Sequence, residues 1–246
     1  MKTITRLSLA AATVLLLSNN VNAAPMVFTV DDSLGQASGG WNNWNNDASL
    51  NPTLSGHDEH GKPLVEKMSV YFDNSSNLLT KVEILLDGDT RELFDSLFIN
   101  TDYTTGATWD SWDYFVRDST RYTNNDGTLS KVNSFTNEYI YTTDPSGRQG
   151  NPNSINSSKL TTLNSTFGPS YTAIGGVSDD WLITYDFSNL NGGGLALTGG
   201  FFVAYSPWCS NDVVGGGAPV PEPATMLLLG TGLAGLFGVA RRRKEK

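Results

Sequence analysis

Residues 67–72 read Lys67-Met68-Ser69-Val70-Tyr71-Phe72, and residues 81–84 read Lys81-Val82-Glu83-Ile84. In both, polar and apolar side chains take turns. A period of two sends alternate side chains to opposite faces of an extended strand, so these segments predict a sheet with one face in a core and the other in water. Working outward, residues 68–72 and 81–86 are joined as strand candidates by 26–30, 93–99, 112–116, 138–142, 181–187 and 201–205, each short and broken from the next by Gly, Asn, Asp or Ser. Asn124-Asn125-Asp126-Gly127 reads as a turn with Gly127 at positive φ, and Asp87-Gly88-Asp89 as another. No long internal stretch carries a 3.6-residue apolar period between caps, so helices should be few. The expected fold is all-β, a β-sandwich or jelly-roll-like domain.

That domain is bracketed by two segments of different character. Lys2 and Arg6 precede an apolar run from Leu7 to Leu17, and Val21-Asn22-Ala23 supplies small residues before a cut after Ala23, so 1–23 reads as a signal peptide. At the other end, Pro221-Glu222-Pro223 is followed by a mainly apolar run of 17 residues, 224–240, and then by Arg241-Arg242-Arg243-Lys244. At ~1.5 Å per residue the run is just long enough to cross a ~30 Å hydrocarbon core as a transmembrane helix. The prolines keep the preceding segment extended, and the basic cluster marks the cytoplasmic side. Gly215-Gly216-Gly217 suggests a flexible tether over 215–219.

The 24–219 body is long enough for one domain with a real core. Setting aside two basic residues before Ala24 and five basic and two acidic residues after Pro219 leaves nine basic and 23 acidic residues. A net charge of that sign argues against nucleic acid as a partner. With Cys209 the lone cysteine, no internal disulfide forms, and packing alone must hold the fold.

The C-terminal order of parts resembles the sorting tail of PEP-CTERM proteins, carried here by Pro221, Glu222 and Pro223, the 224–240 span, and Arg241, Arg242 and Arg243. The resemblance implies recognition by an exosortase, a membrane-anchored precursor, and a place on the cell surface or in the extracellular matrix of a Gram-negative-type bacterium, associated with exopolysaccharide or biofilm. Residues 181–187, 199–205 and Cys209-Ser210-Asn211-Asp212 also resemble the last strands of such surface proteins, which implies a final hairpin and no catalytic role.

Chemistry inside the body is sparse. His57-Asp58-Glu59-His60 has the wrong spacing for a helical zinc motif and is flanked by Gly56, Gly61 and Pro63, so it reads as a solvated loop and no metal site is assigned. No nucleophile elbow accompanies these histidines. Glu83, Glu92, Glu138, Asp110 and Asp113 are carboxylates that a glycosidase could pair, but sequence does not show which face each other. Asp126 with Asn124 and Asn125, or Asp179-Asp180, could offer oxygens to Ca²⁺, without the twelve-residue loop that would specify it. Trp41, Trp44, Trp109 and Trp112 lie among Asn, Asp and Ser, where indole faces could stack on sugar rings; the same rings could instead close the ends of the sandwich. The expectation is a non-enzymatic structural or adhesive protein that contacts polysaccharide. The alternatives are a glycan-active enzyme with paired carboxylates and a lectin-like module.

Overall fold

The computed structural model describes residues 25–31, 64–87, 95–103, 111–118, 124, 126–134, 139–141, 152–174, 180–207 and 214–220. The two alternating stretches form a hairpin of β2 (Leu64–Asp73) and β3 (Leu78–Asp87). Val82, Ile84 and Leu86 are buried while Lys81, Glu83 and Leu85 are partly exposed, as period two requires. Two register shifts interrupt the pairing, at Val65/Lys67 and at Tyr71/Phe72. Each inserts one residue and switches which parity faces inward, so Val65 and Met68, and likewise Leu79 and Val82, are buried on the same side despite their odd separation. The hairpin turn is tied by Asp73, whose carboxylate accepts from Ser75 and Ser76; the Ser75 bonds, followed by those of Ser76, hold it below the usual carboxylate range.

The first sheet extends the hairpin with β1 (Met26–Asp31) beside β2, and with β11 (Asp180–Asp186) then β10 (Ser170–Ala173) beyond β3. The short β12 (Leu195–Ala196) covers the Leu78 end of β3 that β11 does not reach. The second sheet is built on a meander of β4 (Asp95–Asn100), β5 (Tyr114–Asp118) and β6 (Gly127–Val132), continued by β9 (Leu160–Asn164). On its other side β4 pairs β13 (Gly200–Pro207), which pairs the edge strand β14 (Val214–Pro219). A separate hairpin joins β7 (Tyr139–Tyr141) to β8 (Pro152–Ile155), and every strand pairing is antiparallel. The only helical element among the described residues is a 3-10 turn, Ser157–Lys159.

Val30, Met68, Ile84 and Ile183 of the first sheet share one apolar core with Leu97, Ile99, Phe201 and Val203 of the second, so the two sheets are layered face to face. Phe201 stands between Phe28 and Phe72, with ring centroids 5.6 and 5.0 Å away. The second sheet is also apolar on its outer face, where Phe98, Trp112, Phe115, Phe202 and Ala204 meet Ile155 of β8. Burial on both faces explains the unbroken run Phe201-Phe202-Val203-Ala204-Tyr205, every residue of which is buried.

Three expectations are corrected. Gly215-Gly216-Gly217 is no tether but part of β14, hydrogen-bonded along β13 from Tyr205 to Gly200. Its glycines serve close approach: a Cβ on Gly216 would lie 2.6 Å from Val30 Cγ2. The last hairpin is β13–β14, whereas the 181–187 segment belongs to the other sheet and does not pair with β13. Gly127 begins β6 without positive φ; a Cβ there would meet Arg117 O, Asp118 Cα and Phe167 O at 2.7, 2.8 and 2.9 Å. Because all three are backbone atoms, Gly127→Ala should force β5 and β6 apart and cost about 1–3 kcal/mol in urea denaturation. An unchanged midpoint would mean that the two strands adjust freely.

Candidate functional site

The pleat of the second sheet places Phe115 and Arg117 of β5, Thr128 and Ser130 of β6, and Leu160 and Thr162 of β9 on its outer face. Register aligns Phe115, Ser130 and Thr162 in one row and sets Arg117 opposite Thr128 in the next. With strands ~4.8 Å apart, the three-residue row spans about 10 Å, roughly the width of two sugar rings. Beside these rows, β8 and the 3-10 turn raise a wall carrying Ser154, Ile155 and Ser157, which closes a cleft of about 450 Å³.

Five hydroxyls line this cleft, those of Thr128, Ser130, Ser154, Ser157 and Thr162, with Phe115, Ile155 and Leu160 as the apolar part. Arg117 donates from Nη1 to Ser154 Oγ at 3.4 Å. Partial desolvation lowers the guanidinium pKa from its ordinary value and Asp118 opposes that shift, leaving a charged donor whose side chain is exposed at the cleft. Hydroxyls and one guanidinium over apolar patches suit a polyhydroxylated ligand with C–H faces better than an apolar one.

Behind the cleft floor the chain turns inward to a polar cluster that joins the two sheets. Tyr171 of β10 donates its hydroxyl to Asp118 in a short hydrogen bond and to Asp95 Oδ2 at 3.2 Å, while the Asp95 N–H donates to Asp118. Asp95 is 0% and Asp118 1% exposed. Burial, then the charge of Asp95, pushes the Tyr171 phenol far up, so it stays a proton donor. Asn124 anchors the same strand by accepting from the Tyr171 N–H at 2.7 Å.

The structure redistributes the candidate residues read from sequence. Trp112 is 4% exposed and packs against Phe98 and Phe202 at 5.5 and 5.9 Å, so it is a core residue and no sugar platform. Trp41, Trp44 and Trp109 lie outside the described residues, as do 57–60, Glu92, Asp110, Glu138 and Cys209. Glu83 is engaged on the outer face of the first sheet, accepting from Tyr71 OH at 2.6 Å and Lys81 Nζ at 2.7 Å. Its hydrogen bond, with burial, pushes the Tyr71 phenol up to about 12. Asp113 accepts from the Thr101 N–H and hydroxyl. Among the described residues no group of three or more His, Cys, Asp or Glu could hold a metal ion. Arg117, Thr128, Ser130, Ser154 and Thr162 were not singled out from sequence; the alternation Thr128-Leu129-Ser130 was the available signal, with hydroxyls on the face opposite a core leucine.

The described domain ends where the sorting tail starts. Pro219 closes β14, and Val220, 7% exposed, donates its N–H to Gly199 O at 3.3 Å. Residues 219–244 match the PEP-CTERM protein-sorting motif. The motif supports export and targeting to an exosortase, and implies a membrane-anchored precursor. Ala23, Pro221, Glu222, Pro223, Arg241, Arg242, Arg243 and the 224–240 span lie outside the described residues, and among those described no helix is long and apolar enough to cross a membrane. Neither the curated proteins nor the solved structures yield a match to this chain.

Proposed function

We propose that the exported two-sheet domain is a non-enzymatic structural or adhesive component of the cell surface or extracellular matrix, which contacts exopolysaccharide through the hydroxyl-lined cleft over β5, β6 and β9. The observation that carries this reading is the PEP-CTERM motif directly behind a folded β domain. The cleft supports the polysaccharide contact: its five hydroxyls and one guanidinium over apolar patches suit a polyhydroxylated ligand, and the net-acidic domain disfavours nucleic acid. Support for binding over catalysis comes from the carboxylates that meet among the described residues: Asp118 borders the cleft, but it and Asp95 are buried and tied to Tyr171. A glycosidase needs its pair open to substrate.

Two measurements test this. In a host with an exosortase, intact mass should show the mature protein without Arg241, Arg242 and Arg243, and Glu222→Ala should abolish that shortening. On a glycan array the exported domain should bind polysaccharide, and Thr162→Ala together with Ser130→Ala should weaken binding by about 1–2 kcal/mol, the loss of two neutral hydrogen bonds. Hydrolysis of any arrayed glycan would favour the enzyme instead, and undiminished binding by the double variant would move the contact elsewhere.

A further inference from the structure

The run that should have given the sorting motif slack is folded. Residues 214–219 pair along β13, and Val220 is buried with its N–H on Gly199 O, so the first proline of the motif follows the last clamped residue directly. Only residues 221–223 separate this clamp from the apolar run at 224. Fully extended, they reach about 10 Å. An enzyme that binds an extended peptide holds it through main-chain hydrogen bonds, and residues 218–220 already commit one edge of theirs to β13 and Gly199.

We propose that docking of β14 on β13 restrains the sorting motif, and that processing requires residues 218–220 to leave β13, so that the folded domain gates its own release. This rests on the exosortase reading above. The part that must open is the end of the strand, held by the burial of Val220 and the packing of Ala218. At its end β14 is half-buried at Gly217 and Ala218 and exposed at Pro219, and the Val220 bond is long. On the β13 side, Gly200 has φ +158°, and a Cβ there would lie 2.3 Å from Tyr103 O, 2.7 Å from Ala218 O and 2.9 Å from Pro219 Cα. Gly200 therefore lets the clamp close while lying outside the motif itself.

Two variants of the full chain test the gate in an exosortase-bearing host, read as the rate at which the shortened form appears after a pulse of synthesis. Six Gly/Ser residues inserted between Val220 and Pro221 leave the clamp and residues 221–246 intact but restore slack. Gly200→Ala crowds Ala218 and Pro219 of the clamp, together with Tyr103 beside it, without altering residues 219–244. Gly200→Ala should speed processing roughly two- to tenfold, the population change expected when one hydrogen bond's net contribution is removed, and the insertion, which removes the need to open the clamp, should speed it at least as much. If Gly200→Ala fails to fold, the insertion alone decides. Processing at the unmodified rate in the insertion variant overturns the gate while leaving the sorting reading intact. Absence of processing in wild type and variants alike overturns the sorting reading and the gate with it.

Discussion

Tyr171→Phe should lower the stability of the exported domain by roughly 3 kcal/mol, because two hydrogen bonds to buried carboxylates are lost with one oxygen. Phe keeps the ring volume, so the loss reports the hydroxyl. Equilibrium urea denaturation measures it, and a change below ~1 kcal/mol would show that Asp95 and Asp118 satisfy each other without the phenol. The pH dependence carries a second signature. The folded-state pKa of Tyr171 lies far above the ordinary value, raised first by burial and then by Asp95. A raised pKa means that the stabilisation is complete below the unfolded value of ~10 and is lost as pH rises above it, by about 1.4 kcal/mol per unit. The phenylalanine variant lacks that slope. Wild-type and variant stabilities should therefore converge above pH ~10, and parallel curves would count against a buried protonated phenol.

Trp112→Ala should cost about 3–5 kcal/mol, the range for deleting a packed indole, with a matching fall in melting temperature. The ring is wedged between Phe98 and Phe202 on the outer face of the second sheet, beneath the cover that β8 provides. Its removal opens a void between layers that cannot collapse onto one another. Polysaccharide binding, normalised to folded protein, should be unchanged, since the indole is not among the cleft residues. A stable variant with weakened binding would restore Trp112 as a stacking platform.

The reading of Trp112 shows where local sequence stops informing. Its neighbours Asp110, Ser111 and Asp113 are polar, which suggests a wet loop. In the fold Ser111 and Asp113 turn to local hydrogen bonds, Asp113 accepting from Thr101 and Ser111 from Asn100, while the indole between them enters the core. Composition around a residue does not say which way its side chain points once the backbone has found its partners. The glycine run at 215–217 makes the same point from the other side. Glycine is compatible with a slack linker and with a strand so close to its neighbours that no Cβ fits, and only the position of Val30 distinguishes the two.

By itself the sequence determined the all-β class, the strands β2 and β3 and the sorting logic of the tail, because each of these is written in local order: period-two alternation, and a Pro-Glu-Pro, apolar and basic succession. Tertiary structure alone decided the rest. Strands β6, β9 and β10 are short and rich in Ser and Thr, so their place depends on the partners beside them rather than on their own pattern. The Asp95–Asp118–Tyr171 cluster and the cleft over Arg117, Ser130 and Thr162 join residues dozens of positions apart, and that juxtaposition follows from sheet register and layering, which no local window of the chain encodes.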